Sequence, residues 1–252
     1  MPCRRMVSCA KYNIWPLVMR PLVIVVLFFC LLIVIHNDGG ASGTDQNAGG
    51  EVAQDLANQL REKMGRAIVD NEKRVDANGN IRVYELPDND GGGSYEVAGI
   101  NDRYHPEMAA RLRGLIEDGL YEQAEAEAAE YIMNYTDSAA QLVDDPGAEL
   151  FVRDTMFNRG PTGGAKILQA AVGVKDDGVL GPTTKTAVGN AQRNPEQLIH
   201  KLRAARASYE REVVGTRPNL QKGLENRWKN VQQQALELNR SLRQALVEWV
   251  QM

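Results

Sequence analysis

Cysteine is nearly absent from this chain. Only Cys3, Cys9 and Cys30 occur in 252 residues, all close to the N-terminus. The rest of the chain therefore carries no disulfide framework and no cysteine metal site. Histidine is equally scarce, with His36, His105 and His200 scattered, so no zinc site is expected. Basic residues are not in excess: the net charge is -4, which disfavours nucleic acid as a partner.

Apolar residues dominate the N-terminal region instead. Residues 1–20 contain Arg4, Arg5, Lys11 and Arg20 and no acid, and "PLVIVVLFFCLLIVI" follows from Pro21 to Ile35. A membrane-spanning helix needs about 20 residues. The pattern predicts one transmembrane helix over 17–36, with Arg20 snorkelling to the headgroups. The basic segment 1–16 would stay in the cytoplasm, leaving the main domain periplasmic or otherwise extracytoplasmic. A cleaved signal peptide, giving a secreted protein, is the rival reading. Residues 37–50, "NDGGASGTDQNAGG", read as a flexible linker.

Downstream the fold class is mainly α with a small β element. Glu51 to Glu72 places Leu56, Leu60, Met64 and Ile68 at helical spacing. "DANG" at 76–79 is a turn signal. "NIRVYELP" and "SYEVAGI" read as two strands of one hairpin around Gly91, Gly92 and Gly93. Helices follow, punctuated by Gly119, Gly160 and Gly173, with Pro182 in the first turn of a short one and two long helices at the end. On the last of these, Leu238, Leu242, Leu246, Trp249 and Val250 share a face. This stripe either packs on its own domain or binds a protein partner.

A helix end facing a hairpin makes Glu72 and Glu96 a candidate carboxylate pair. Glycosidic hydrolysis uses such a pair, one group donating a proton to the leaving oxygen and the other activating water or stabilising the developing cation. A solvated side chain is the alternative for either residue. The glycines at 91–93 suit either a hairpin tip or close approach of a sugar chain to the backbone. Tyr95 and Tyr104 offer rings for sugar stacking or for packing. Asn158 and Arg159 serve as polar contacts to a glycan or as a helix cap before Gly160. "DDG" at 176–178 is a turn, since it lacks the further oxygen ligands of a calcium loop.

The segment "GAKILQAAVGVKDDGVLGPTTKTAV" sets Ala165, Leu168, Gln169, Gly173, Asp177, Gly178, Gly181, Pro182 and Thr184 in a recognisable frame. It resembles the peptidoglycan-binding-type half of the glycoside hydrolase family 108 muramidases. The N-terminal half resembles the same family with departures. The catalytic glutamate of its E-G-G-Y motif falls on Glu72, which is followed here by Lys73 and Arg74. Its acidic, glycine-bearing segment falls on Asp88, Asp90, Gly91 and Gly92. Its G-I-T falls on Gly99, Ile100 and Asn101, and its upstream threonine falls on Glu96.

The resemblance implies an α+β lysozyme-like fold with the hairpin at a glycan cleft. It implies a lysozyme-like half over 51–149, a peptidoglycan-binding-type helical half over 150–232, and a C-terminal helix extension over 233–252. It implies a muramidase acting on peptidoglycan strands without metal or organic cofactor. Glu72 would be the general acid, with Glu96 or Asp90 as the second carboxylate. Asp88, Gly91, Gly92, Tyr95, Asn101, Asn158 and Arg159 would contact substrate. The alternative is a non-catalytic peptidoglycan-binding or envelope assembly protein that keeps the fold.

Overall fold

The computed structural model describes residues 45–88, 93–213 and 218–251. The expected membrane helix at 17–36 lies outside them. Among the described residues, no helix is long and apolar enough to cross a membrane. The described chain is mainly helical with a small antiparallel sheet, as the sequence pattern predicts in outline.

Helix α1 spans Asp45–Glu72, so it begins inside the segment expected to be linker. Its buried stripe is Leu60, Met64, Ile68 and Val69, at the spacing that puts one face of a helix on a core. After Glu72 the chain turns at Asp76, whose Oδ1 accepts from the backbone N–H groups of Asn78 and Asn80. This closes the "DANG" loop and lets Val75 bridge Ile81.

The sheet holds three strands rather than the expected two: β1 (Tyr84–Glu85), β2 (Tyr95–Val97) and β3 (Ile100–Asn101), in the order β1-β2-β3. The difference arises at Ala98 and Gly99. Both have positive φ (50° and 75°), which makes a tight turn and splits "SYEVAGI" into two strands. In the register, Glu96 lies between Tyr84 on β1 and Asn101 on β3. Asp102 fastens the far end of β2, its Oδ1 accepting from the N–H groups of Ser94 and Tyr95 at 2.8 and 3.3 Å.

Helices α2 (Pro106–Glu117) and α3 (Tyr121–Tyr135) cover the first core, and the short α4 (Asp137–Ala140) follows. Helix α5 (Pro146–Val172) begins with Asp145 capping Ala148 N–H, and it ends at Gly173 in the left-handed region. It is kinked at Gly160 (φ 70°, ψ 166°), just before Pro161, so it behaves as the two helices that the glycine pattern predicts. Helices α6 (Pro182–Ala191), α7 (Pro195–Val213) and α8 (Pro218–Val250) complete the chain.

Two apolar cores meet along α5. Leu150 joins the core built on α1, the sheet, α2 and α3, while Phe151 and Val152 join the core built on α6, α7 and α8. Helix α8 spans both: Val231 and Ala235 enter the second core and Leu238 the first. Asn239 clamps this junction, donating to both oxygens of Asp145 and accepting from Gly147 N–H at 2.9 Å. Of the expected C-terminal stripe, Leu238 is buried while Leu242 is 36% exposed.

The motif segment 164–188 owes its composition to one buried side chain. Gln169, 1% exposed, donates to Asp177 Oδ1, Val179 O and Thr184 Oγ1, and accepts from Gly178 N–H at 2.8 Å. The glutamine, the Asp-Gly turn and the threonine of the frame are thus one hydrogen-bonded knot that ties α5 to α6.

Candidate functional site

The sequence places Glu72 at the C-terminal end of α1, and the tertiary structure converges on it from three other elements. Oε1 of Glu72 accepts from Arg227 Nη2 of α8 at 2.7 Å and from Asn158 Nδ2 of α5 at 3.3 Å. From the sheet, the β2–β3 turn lies against it. A Cβ placed on Gly99 would come within 3.1 Å of Glu72 Cδ and of Phe157 Cε1, so only glycine allows this approach. The carboxylate side chain is 15% exposed.

Arg227 is the end of a longer chain of alternating charge. The same Nη2 lies 2.7 Å from Asp154 Oδ1, and Asp154 Oδ2 lies 2.5 Å from Arg206 Nη1, with both of the latter side chains fully buried. Arg206 Nε is 3.8 Å from Glu210 Oε1, which lies 2.5 Å from Arg159 Nε. Burial opposes charge on Arg227, but Asp154 and then Glu72 outweigh it and hold its pKa above the ordinary arginine value. Burial also pushes the Asp154 carboxyl upward, and Arg227 and Arg206 more than reverse that, so it sits below the usual carboxylate range. Arg206 is lowered, burial being the largest cause. Asn158 Oδ1 and Arg227 Nε are buried with no hydrogen-bond partner among the described residues. Such polar atoms are uncommon in folded proteins.

The other expected site residues divide. Asn158, expected to contact a glycan or cap a helix, donates to Glu72 Oε1. Glu96 is half-buried on β2, three residues before Gly99 and on the strand face opposite buried Val97. Asn101 stands beside Glu96 in the register, but its Oδ1 accepts from Tyr104 N–H at 2.9 Å and closes the turn into α2. Tyr95 packs against the first core with the Arg113 guanidinium 4.9 Å from its ring centre, because it shares the strand face of Val97, which is the packing alternative of its two expected roles. Arg159 is paired with Glu210. Asp88 is exposed at the end of β1's connection. Asp90, Gly91 and Gly92 lie outside the described residues.

Sequence reasoning missed Arg227, Asp154, Arg206 and Glu210. A signal was available on α7. Leu198, Leu202, Arg206 and Glu210 recur every four residues, so the buried stripe of that helix changes from apolar to charged half-way along. Charges on a buried stripe require partners. Lys73, where the resembling family has glycine, pairs with Asp70 and Glu125, both at 2.8 Å. Among the described residues, no group of three or more histidine, cysteine or acidic side chains is placed to hold a metal.

No protein-family model matches the chain, and no curated protein matches it. Among solved structures it is similar to that of Brucella abortus SagA. That match has 22% sequence identity and a TM-score of 0.50, and it covers 73% of this chain and 97% of that one. The likeness concerns the fold.

Proposed function

We propose that this protein is a peptidoglycan hydrolase of the lysozyme-like muramidase class, cutting glycan strands with Glu72 as general acid. The observation that carries the reading is the convergence on one carboxylate: a helix end, a glycine turn of a small sheet, and side chains from α5 and α8 all meet at Glu72. A carboxyl group held by fixed donors, with a backbone turn approaching without a side chain, is a positioned polar group of the kind a bound polymer is oriented against. With Oε1 engaged by Arg227 and Asn158, Oε2, which faces the Gly99 turn, is the oxygen that would carry the donated proton. Protonation of the glycosidic oxygen would break its bond to the anomeric carbon. Glu96 is the proposed second carboxylate, directing water or stabilising the oxocarbenium ion, with Asp90 as its alternative. The resemblance of segment 164–188 to the family 108 muramidases supplies the substrate class.

In this reading residues 17–36 anchor the domain in the cytoplasmic membrane, with the domain on the outer side and its effective concentration at the wall raised by tethering. Incubation of the protein with purified peptidoglycan, followed by mass spectrometry of the products, tests the proposal. Fragments ending in reducing N-acetylmuramic acid are expected. Intact strands after prolonged incubation would overturn it.

One observation favours a second reading, that of a non-catalytic peptidoglycan-binding or envelope assembly protein. Oε1 of Glu72 is occupied by two donors, and Lys73 and Arg74 replace the glycines of the resembling motif. Strand binding without cleavage would select this reading, and the exposed Leu242 and Val247 of α8 would then be candidates for a protein contact.

A further inference from the structure

Aromatic residues make up 6% of the chain, yet several rings form one partly exposed track that begins beside Glu72. Phe157 touches the same Gly99 turn as Glu72, each 3.1 Å from the position of a glycine Cβ. The Phe157 ring meets Tyr135 edge-on at 6.3 Å between centres. Tyr135 meets His105 edge-on at 5.1 Å and lies nearly parallel to Tyr131 at 6.5 Å. His105 Nδ1 is hydrogen-bonded to the Tyr131 hydroxyl at 2.8 Å, which fixes both rings. Beyond them opens a cavity of about 430 Å³, lined by Tyr104, His105, Pro106, Glu107, Met108 and Tyr131.

The track is assembled from three parts of the chain. Tyr131 and Tyr135 are one turn apart on α3 and share a face. His105 precedes α2, and Phe157 comes from α5. Phe157 and Tyr131 each rest one side on the first core. All four rings of the track remain half-buried, and Tyr104 at the rim is 65% exposed. The Arg103 guanidinium, 5.5 Å from the Tyr104 ring centre, steadies that exposed ring. Burial keeps His105 below its ordinary pKa, so its imidazole is neutral near pH 7.

We infer that the Phe157–Tyr135–Tyr131–His105 track and its terminal cavity form a saccharide subsite, taking the uncharged N-acetylglucosamine rings that alternate with N-acetylmuramic acid in a glycan strand extending away from Glu72. A pyranose ring has a face of C–H groups, which stacks on an aromatic ring, and a rim of hydroxyl and acetamide groups, which needs hydrogen bonds. The track supplies ring surfaces for the first. The Tyr104 hydroxyl and the Glu107 carboxylate at the cavity supply partners for the second. The lining contains one carboxylate and neither lysine nor arginine, which suits a sugar ring better than an acidic peptide stem. The inference rests on the glycan reading of the Glu72 site and assigns rings to it.

The test uses the full chain carrying Glu72→Gln, titrated calorimetrically with peptide-free glycan strands prepared from peptidoglycan. Saturable binding is expected. Adding Tyr131→Ala should weaken it about tenfold, the order of a lost aromatic contact. Tyr131→Phe should hold it within about twofold, since the ring and not the hydroxyl does the stacking. Tyr104→Ala removes an exposed ring that carries no core packing, and it should weaken binding at least about threefold. Unchanged binding by the alanine variants, folded by circular dichroism, would overturn the subsite, and so would absence of saturable binding by the parent. If Tyr131→Ala does not fold, Tyr104→Ala decides. Hydrolysis by Glu72→Gln equal to wild type, together with lost binding by the ring variants, would retire the role of Glu72 and leave the subsite standing.

Discussion

Arg227 and Glu72 are joined at 2.7 Å across the interface between α8 and α1. A helix from the end of the chain thus sets the orientation of a carboxylate from its beginning. Arg227 cannot be considered alone, because the same nitrogen holds Asp154, which is fully buried and also paired with Arg206.

Among the described residues, Arg227→Met therefore leaves Asp154 with one of its two cationic partners and Glu72 with none. Breaking a buried ion pair from one side costs about 3–5 kcal/mol. Urea unfolding should show a loss of that order. Arg227→Lys keeps the charge but cannot serve both carboxylates with one planar fork, so an intermediate loss is expected.

Acid should expose the same network. The Asp154 carboxyl is held below the usual range by Arg227 and Arg206, which outweigh its burial. A depressed folded-state pKa contributes stability that is present above the unfolded value, about 3.9. That stability is lost as pH falls through the folded value. Melting temperature measured downward from pH 6 should fall steeply below about pH 4. Asp154→Asn should be less stable at pH 6 and should show a shallower acid slope.

Gly99→Ala tests the close approach of the sheet to Glu72. The residue has φ 75°, and a methyl group there would meet Glu72 and Phe157 at 3.1 Å. A left-handed non-glycine residue costs about 1–2 kcal/mol before any collision. Thermal unfolding should show at least that loss, and activity should fall more than in a surface control because the Glu72 carboxyl must shift.

Gln169→Leu tests whether the motif segment is structural. It strands Gly178 N–H and removes the amide donor that serves Asp177 Oδ1, Val179 O and Thr184 Oγ1, in a side chain that is 1% exposed. A cost of about 1–3 kcal/mol for the orphaned groups is expected in denaturant unfolding, with glycan binding by the folded fraction unchanged.

These cases show where the sequence was readable. Periodicity located α1, and the glycine and proline pattern located the break in α5 at Gly160, because both follow from local backbone preference. The third strand was missed because the turn at Ala98 carries an alanine where a positive φ favours glycine or asparagine. Glu72 and Asn158 were chosen separately, and the structure brings them together. Arg227, the ion-pair partner of Glu72, lies 155 residues further along the chain (227 − 72), in a helix whose pattern gives no sign of the contact. Of the two roles open to Tyr95, packing is the one the fold uses, because alternation along β2 turns it to the same side as Val97.

The central claim is that Glu72 donates the proton in glycan cleavage. Its most direct measurement is reducing-end release from purified peptidoglycan by wild type and Glu72→Gln, both shown to be folded and to bind strands equally. Loss of a general acid lowers the rate by about 10²–10⁴, and a decrease in that range with unchanged binding is the expected result. Equal rates for the two proteins would contradict the account.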